Sequence, residues 1–391
     1  MHVTANAALV INDHGVLTYA GPSDALTVAQ RMHSVDLHQA LVTPAFIDCH
    51  THVVFAGNRA DEFGLRLSGA SYAEIAASGG GILRTAGLTQ TATEAELVAL
   101  TLPRLMQLKA DGVAALEIKS GYGLTLEAEA KMLRAAASAA KLAGMEVQRT
   151  FLGLHALPAE AKFPAARAEY VRQVCQHWLP ELVKQGLVDA VDAFMEHIAF
   201  NAGEVRQFFS AAKALNIPVK LHAEQLSNME GAVLAAEFNA LSADHLEHLS
   251  TRGVNAMRAA KMTAVLLPGA FYCLKEKRCP PIAKLRKAGV PLAIATDLNP
   301  GTSPMTSIRL AMHMACIDFG LTFPEALAGT SYNAARALGW RHRGTLAAGQ
   351  RGDFIAWQID DPAEIIYWLG TAPVHTLYQA GEPDASTQLK C

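Results

Sequence analysis

From about Leu41 onward, short apolar runs alternate with longer, alanine-rich segments whose apolar positions recur with helical period. This alternation is typical of strand–helix units that build a parallel sheet. Eight such runs follow one another: TPAFIDCHTH, VAALEIKSGYG, MEVQRTFLGLHA, VDAVDAFMEH, IPVKLHAEQ, ALSADHLEH, TAVLLPGAF and VPLAIATDLNPG. Eight strands with eight crossovers in roughly 250–300 residues favour an α/β fold of the TIM-like (β/α)8 barrel type over an open doubly wound sheet.

The two ends of the chain have a different pattern. Residues 3–40 and 344–385 contain short alternating runs interrupted by Gly, Pro and Asp, as in strands joined by tight turns. We therefore predict a barrel over residues 41–343 and a small β-sandwich subdomain built from both termini, residues 1–40 and 344–391. Residues 58–93, with the run Gly79-Gly80-Gly81, are too long for an ordinary loop after a strand. They predict a lid or substrate loop.

Composition narrows the class of protein. The 391 residues are 51% hydrophobic, and 33 Lys and Arg stand against 36 Asp and Glu, for a formal net charge of -3. Such a chain can bury a large core and has no basic excess for nucleic acid or an anionic membrane. No signal peptide or membrane-spanning run is evident, which predicts a cytoplasmic protein. The six cysteines include no Cys-x-x-Cys pair, so neither a disulfide framework nor a thiolate zinc site is indicated.

A His-x-His pair, His50 and His52, ends the first apolar run. Residues two apart on a strand project to the same face, so both imidazoles can reach one ion. Taken alone, the pair also fits two half-buried histidines on a barrel strand. Polar residues end other runs as well, namely Tyr122, His155, Glu196, His197, His222, His245 and Asp297. Because active sites form at the carboxyl ends of barrel strands, we expect these side chains to share one site.

The order of residue types along the runs favours a metal centre. His222 ends the fifth run, His245 lies near the end of the sixth, and Asp297 ends the eighth. Three neutral imidazole nitrogens and one carboxylate oxygen suit Zn²⁺ or Fe²⁺ and leave a position open for water, as in catalytic sites. No lysine ends the fourth run to bridge a second ion. We therefore expect one ion per chain.

The segments around these residues resemble the amidohydrolase superfamily. The resemblance extends from about residue 41 to 370 and is most specific in FIDCHTHVVFAGNRADEF, SGGGILRT, EIKSGYGL, TFLGLHALP, KLHAEQLSN, ADHLEH and ATDLNPGTSP. It implies a hydrolase with one zinc or iron ion held by His50, His52, His222 and Asp297. Within the superfamily it favours enzymes of histidine degradation that open a cyclic amide with a carboxylate tail, and it implies a homodimer. It also implies substrate contacts from Arg59, Tyr122, His155, Gln225, Asn299, Gly301 and Thr302.

The residues suggest how such a reaction proceeds. A metal ion lowers the pKa of water, and Asp297 can accept the proton that the water loses. His245, which is not needed as a ligand, is available to stabilise charge on the carbonyl oxygen. The leaving ring nitrogen must be protonated by Asp297, Glu224 or Gln225, and the sequence leaves that choice open.

Arg59 follows the His-x-His strand, and a guanidinium can grip a planar carboxylate with two hydrogen bonds. We therefore expect Arg59 to hold the substrate tail. The alternative is a surface arginine paired with Asp61 or Glu62.

The other candidates each have an ordinary structural alternative. Tyr122 or His155 alone is also compatible with an ordinary structural residue of the core, and Asn-Pro-Gly after Asp297 with a simple turn. Two other functions also remain open. One is a single-metal cytosine or guanine deaminase, which acts on a neutral base and needs no carboxylate partner. The other is a non-catalytic scaffold, which would lack ligands that are all present here.

Overall fold

The computed structural model describes residues 3–70, 74 and 80–387. Its strands form three sheets: a two-stranded hairpin, an eight-stranded parallel sheet and a four-stranded antiparallel sheet. In chain order they are β1 Ala7–Ile11, β2 Leu17–Pro22, β3 Leu41–Pro44, β4 Phe46–Asp48, β5 Val113–Lys119, β6 Glu146–Leu154, β7 Ala190–Met195, β8 Leu221–Ala223, β9 Ser242–His245, β10 Thr263–Leu266, β11 Leu292–Ile294, β12 Phe354–Trp357, β13 His375–Gln379 and β14 Glu382–Pro383.

Strands β4 to β11 pair in chain order, each parallel to the next. The first and last of them meet just beyond their carboxyl ends. There the amide of Asp297 donates to the carbonyl of His50 at 3.0 Å, and the amide of His52 donates to the carbonyl of Leu298 at 2.9 Å. These contacts join the two edges of the sheet and bring the His-x-His pair beside Asp297. The predicted barrel is confirmed.

Most helices follow the barrel strands in the chain, while Val28–Met32 lies in the N-terminal segment and Glu364–Tyr367 in the C-terminal segment. Their bounds are Val28–Met32, Ala60–Leu67, Ile82–Thr91, Glu94–Ala110, Leu126–Ala143, Pro164–Gln173, Leu179–Lys184, Ala202–Ala214, Gly231–Glu237, Thr251–Ala259, Pro268–Leu274, Ile282–Ala288, Ile308–Phe319, Phe323–Gly329, Tyr332–Ala337 and Glu364–Tyr367. Local sequence sets several of the ends. Thr93 and Glu96 form a capping box at the start of one helix, and Gly144, at φ 64°, ends another in the left-handed region.

Both chain termini contribute to the β-structure beside the barrel. Strands β14, β13, β12 and β3 form the antiparallel sheet in that order, so Leu41–Pro44 pairs with a strand more than 300 residues later. The hairpin of β1 and β2 is tied to the C-terminal segment through Leu17, whose amide donates to the carbonyl of Gln350 at 2.8 Å. The side chain of Trp357 on β12 packs on Phe46 at the start of the first barrel strand. The flanking sheet thus shares the core at the amino end of the barrel.

Two helices occupy the described part of the predicted lid, Ala60–Leu67 and Ile82–Thr91. Residues 71–73 and 75–79, which include Gly79, lie outside the described residues. Within the described ranges, no helix is long and apolar enough to cross a membrane.

Candidate metal centre

Four predicted ligands converge at the carboxyl end of the barrel. The Nε2 atom of His52 lies 3.3 Å from Nε2 of His50 and 3.3 Å from Nε2 of His222. Oδ1 of Asp297 lies 3.5 Å from Nε2 of both His50 and His52. All four residues are buried. Nε2 of His52 therefore lies within 3.5 Å of a donor atom of each of the other three residues.

These separations fit a single bound ion. Donors about 2.0–2.1 Å from a tetrahedral zinc lie roughly 3.3–3.4 Å from one another. Burial lowers the pKa of His50 and His52 well below the ordinary value, so their imidazoles are neutral and can offer lone pairs. Burial also raises the pKa of Asp297, so this carboxylate needs a nearby cation to stay ionised. A divalent cation meets both requirements.

His245 stands on the other side of the same cluster. Its ring centroid is 5.5 Å from that of His222 and 5.9 Å from that of His50, and one of its ring nitrogens lies within 4.8 Å of a ring nitrogen of each. The residue has φ 80°, outside the usual range for a side chain of this size. This backbone conformation directs the end of β9 into the site. The position is compatible with the predicted role in stabilising charge on a carbonyl oxygen.

Beneath the ligands lies a group of charged side chains that sequence reasoning did not assign to the site. We call it the barrel-floor cluster; its members are Glu117, Lys119, Asp192, Lys220 and Asp244, and all are fully buried. Nδ1 of His50 lies 2.6 Å from Asp244, and Nδ1 of His222 lies 3.0 Å from Asp192. Carboxylates in this position fix the tautomer and ring orientation of metal-binding histidines.

The two lysines hold the acids of the barrel-floor cluster together. Lys119 lies 2.7 Å from both Glu117 and Asp192, and Lys220 lies 2.7 Å from Glu117. Burial opposes the charge of Lys119, but Asp192 and Glu117 outweigh it and raise the pKa of this lysine. The sequence did contain a signal for this cluster, namely charged residues inside apolar strands. Such residues are almost never fully buried unless they are paired, so their presence indicates buried ion pairs. Their partners lie on different strands, so the pairing itself required the structure.

Asp244→Asn is expected to weaken metal binding roughly 10- to 100-fold, because His50 loses its carboxylate partner. The measurement is competition for Zn²⁺ with a chromophoric chelator. Asp189→Asn is the matched control. Asp189 forms an ion pair with Arg149 at 3.0 Å and contacts none of the metal ligands, so this substitution should leave the affinity for Zn²⁺ unchanged. Equal affinities for all three proteins would show that Asp244 does not support the site.

Arg59 is buried rather than displayed on the surface. It is 8% exposed, and its Nη1 lies 3.9 Å from Oε2 of Glu62, while Asp61 pairs with Arg84 instead. The guanidinium lies against Gly301, where an added Cβ would sit 1.3 Å from Nη2. Of the alternative, the pairing with Glu62 is present, but the surface position is wrong. Arg59 and the turn after Asp297 form one wall beside the ligands.

Tyr122 and His155 line another side. Their ring centroids are 5.2 Å apart, and the ring of His155 stacks on that of His52 at 5.3 Å. Nδ1 of His155 donates to the carbonyl of Gly121 at 3.0 Å, so this nitrogen carries the proton. Burial lowers the pKa of His155 to about 3, which leaves Nε2 as an acceptor. His155 can donate to a substrate carboxylate only if it gains a proton when substrate binds.

The turn after Asp297 is organised by Asn299. Its side-chain oxygen accepts from the amides of Gly301 at 2.9 Å and Thr302 at 2.7 Å, and its side-chain nitrogen donates to the carbonyl of Asp297 at 2.7 Å. The structure thus contains the turn that the Asn-Pro-Gly sequence indicates, and this turn directly follows the candidate ligand Asp297. The predicted substrate contacts of these three residues stay predictions.

Glu224 and Gln225 follow His222 and are both buried. The carboxylate of Glu224 accepts hydrogen bonds from the amides of Gly231 and Ala232, at the start of the helix Gly231–Glu237. Burial nevertheless raises the pKa of Glu224 to about 7. These contacts engage the carboxylate at a helix terminus, and the protonating role of either residue stays a prediction.

The barrel, its open carboxyl end and the histidine–aspartate donor set define a metal-dependent hydrolase of the amidohydrolase class. The profile of the amidohydrolase family matches residues 41–383, so the chain belongs to this family.

Its curated relatives identify the branch as that of the imidazolonepropionases. The relative from Polaromonas sp. (strain JS666 / ATCC BAA-500) is 52% identical over 377 residues, which cover 96% of this chain and 88% of that protein. The relative from Caulobacter vibrioides (strain NA1000 / CB15N) is 54% identical over 362 residues, 92% of this chain and 90% of that protein. The chain is therefore a hydrolase that acts on the C–N bonds of cyclic amides.

Solved structures support the fold. A 5-methylcytosine deaminase from Klebsiella pneumoniae liganded with 5-fluorocytosine superposes with a TM-score of 0.74 at 16% identity, over 98% of this chain and 95% of that one. The zinc complex of an atrazine chlorohydrolase from Arthrobacter aurescens TC1 gives 0.73 at 15% identity, over 98% and 92%. At this identity the likeness concerns the barrel and its flanking sheet alone.

Proposed function

We propose that this chain hydrolyses 4-imidazolone-5-propanoate to N-formimidoyl-L-glutamate in histidine degradation. The observation that carries the proposal is the buried guanidinium of Arg59, which lies against Gly301 on the wall beside four convergent metal ligands. A metal centre suits attack of water on a ring carbonyl, and the guanidinium suits the propionate tail. The names of the relatives support the same substrate.

His50, His52, His222 and Asp297 would hold one zinc or iron ion per chain. When bound, such an ion lowers the pKa of water and polarises a carbonyl group. Asp297 takes the proton of the attacking water on its carboxylate, and His245 donates a hydrogen bond to the carbonyl oxygen as negative charge develops there. The C–N bond then breaks, and the ring nitrogen receives a proton from Asp297, with Glu224 as the alternative; Gln225, whose amide is not acidic, can only donate a hydrogen bond there.

The remaining residues orient the substrate. Arg59 pairs with the propionate, and Tyr122, His155 and the turn of Asn299, Gly301 and Thr302 enclose the ring. Gln225 completes the set of expected contacts. A homodimer with no nucleic-acid or membrane partner is proposed for the assembled enzyme.

A substrate assay separates this function from a deaminase. 4-Imidazolone-5-propanoate has a carboxylate that cytosine and guanine lack. Purified enzyme is therefore expected to consume 4-imidazolone-5-propanoate and to leave both cytosine and guanine unchanged. The reverse result would assign the site to a deaminase and leave Arg59 without its partner.

Removal of the metal is expected to abolish turnover. Metal analysis of the purified protein should find one transition-metal ion per chain, and dialysis against a chelator should remove the ion and the activity together. Adding back Zn²⁺ or Fe²⁺ should restore turnover and identify the more effective ion. Full activity in metal-free protein would overturn the mechanism.

A further inference from the structure

The loop between β5 and the helix Leu126–Ala143 has a strained backbone. Gly121 has φ 110° and Leu124 has φ 53°, a left-handed conformation that is costly for a leucine. Between them stands Tyr122, whose ring is buried next to His155. Strained conformations of this kind persist only where the surrounding structure holds them.

Glu129 supplies much of that support. From the first turns of the helix it reaches back under the loop, and its carboxylate accepts from the amides of Gly121 at 2.7 Å, Gly123 at 2.8 Å and Leu124 at 2.8 Å. Glu129 is 1% exposed, and no Lys, Arg or His within the described ranges forms an ion pair with it. The hydroxyl of Ser120 and the three amides, all from the same loop, are thus its compensation for burial.

Capping the helix does not explain this arrangement. Thr125 is the N-cap residue, and its hydroxyl accepts from the amide of Ala128 at 3.2 Å. Glu129 lies one residue further on and directs its carboxylate to the loop instead of its own helix. Its contacts therefore serve the loop.

The carbonyl groups of the same loop are held from the opposite side. Nδ1 of His155 donates to the carbonyl of Gly121 at 3.0 Å, and Nε2 of Gln90 donates to the carbonyl of Gly123 at 2.7 Å. At Gly123 a Cβ would lie 2.4 Å from the amide nitrogen of Glu129, so the loop packs directly on the helix. Because Glu129 binds the amides of the loop and His155 and Gln90 bind its carbonyl groups, the backbone around Tyr122 has little freedom to move.

We propose that Glu129 is a positioning residue for substrate binding, which fixes the loop of residues 120–124 so that Tyr122 and His155 face the substrate beside His52. The inference rests on the proposed function, because it assigns the affinity for that substrate to the loop. Glu129 itself contacts none of the four metal ligands through a hydrogen bond or ion pair among the described residues.

Glu129→Gln can keep one oxygen for the amides of Gly123 and Leu124, but it places an NH2 donor against the amide of Gly121 and should shift the loop. A misplacement of about 1 Å can cost roughly 100-fold, so we expect KM to rise about 10- to 100-fold. The kcat should stay within about threefold, because the metal ligands and Asp297 are untouched. Metal content should be unchanged. Affinity for imidazole-4-propanoate, which keeps the ring and tail but has no carbonyl to attack, should fall in parallel when measured by calorimetry.

Two further variants guard against a general folding defect. Gln90→Leu removes the tie to Gly123 from an exposed side chain and should raise KM in the same direction by about three- to tenfold, the effect of one lost hydrogen bond. Glu96→Gln is the matched control, since Glu96 also accepts from a backbone amide, that of Thr93, which is not part of this loop. Its KM should equal that of the wild type.

A double-mutant cycle tests the route of action. If Glu129 acts through Tyr122, Glu129→Gln should raise KM by less in a Tyr122→Phe background than in the wild type. An unchanged KM in folded Glu129→Gln and Gln90→Leu would overturn the inference. A higher KM that comes together with a lower kcat and less bound metal would also overturn it, because that combination indicates a general structural role. Failure of the wild type to consume the propionate would instead overturn the proposed function.

Discussion

Asp297→Asn is expected to lower kcat by about two to four orders of magnitude, the range typical for loss of a positioned general base. The carboxylate lies 3.5 Å from Nε2 of both His50 and His52, so it is placed to be a metal ligand and a proton acceptor at once. Asparagine keeps the shape but removes the charge and the basic oxygen. The measurement is the rate at which 4-imidazolone-5-propanoate disappears at saturating substrate.

Metal analysis of the same variant separates the two roles. A variant that keeps its ion and loses kcat identifies Asp297 as the base, whereas loss of both assigns the effect to ligation. A variant that retains its ion and more than about a tenth of the wild-type kcat would place the base elsewhere, since a positioned base contributes a hundredfold or more.

The sequence indicated the candidate donor residues because the relevant chemistry is local. His50 and His52 are two residues apart on one strand, and each remaining ligand stands at the end of its own apolar run. Once eight parallel strands close into a barrel, all these ends face one opening. The barrel and the candidate donors at its open end therefore follow from periodicity and residue type, whereas the choice of His222 rather than His245 as a ligand rests on the resemblance to the amidohydrolase superfamily.

The barrel-floor cluster could not be predicted in the same way. Asp244 meets His50 across 194 residues of chain, and Lys220 meets Glu117 across 103. Which acid faces which base depends on the stagger of neighbouring strands, a property that residue type does not encode. The same holds for Glu129, whose position in a helix gives no sign that its carboxylate serves a loop.

One strand boundary also required the structure. The run TPAFIDCHTH is continuous in sequence, but β3 ends at Pro44 and β4 begins at Phe46. Proline has no amide to donate to a further ladder bond, and the amide of Ala45 donates to the carbonyl of Asp353. The chain therefore passes from the antiparallel sheet to the barrel within two residues. The hydrophobic pattern of this run does not show that β3 pairs with β12 in the antiparallel sheet whereas β4 pairs with β5 in the barrel.

Arg59→Met is expected to lower kcat/KM by roughly thirty- to several-thousand-fold for the propionate substrate while leaving bound metal unchanged. A buried charge pair loses about 2–5 kcal/mol when one side is truncated, and each 1.4 kcal/mol is tenfold. The side chain is 8% exposed, so solvent screens the pair little. Because the tail is remote from the breaking bond, much of the loss should appear in KM.

An analogue in which a neutral amide replaces the carboxylate provides the control, since wild type and Arg59→Met should process it at similar rates. Gly301→Ala tests the same contact from the other side. Its Cβ would sit 1.3 Å from Nη2 of Arg59, so the guanidinium must move and the discrimination between carboxylate and amide should fall. If Arg59→Met instead hydrolyses the propionate as well as the wild type does, the guanidinium binds no tail. The same metal centre would then select its substrate by the ring alone, and a neutral heterocycle would become the better candidate.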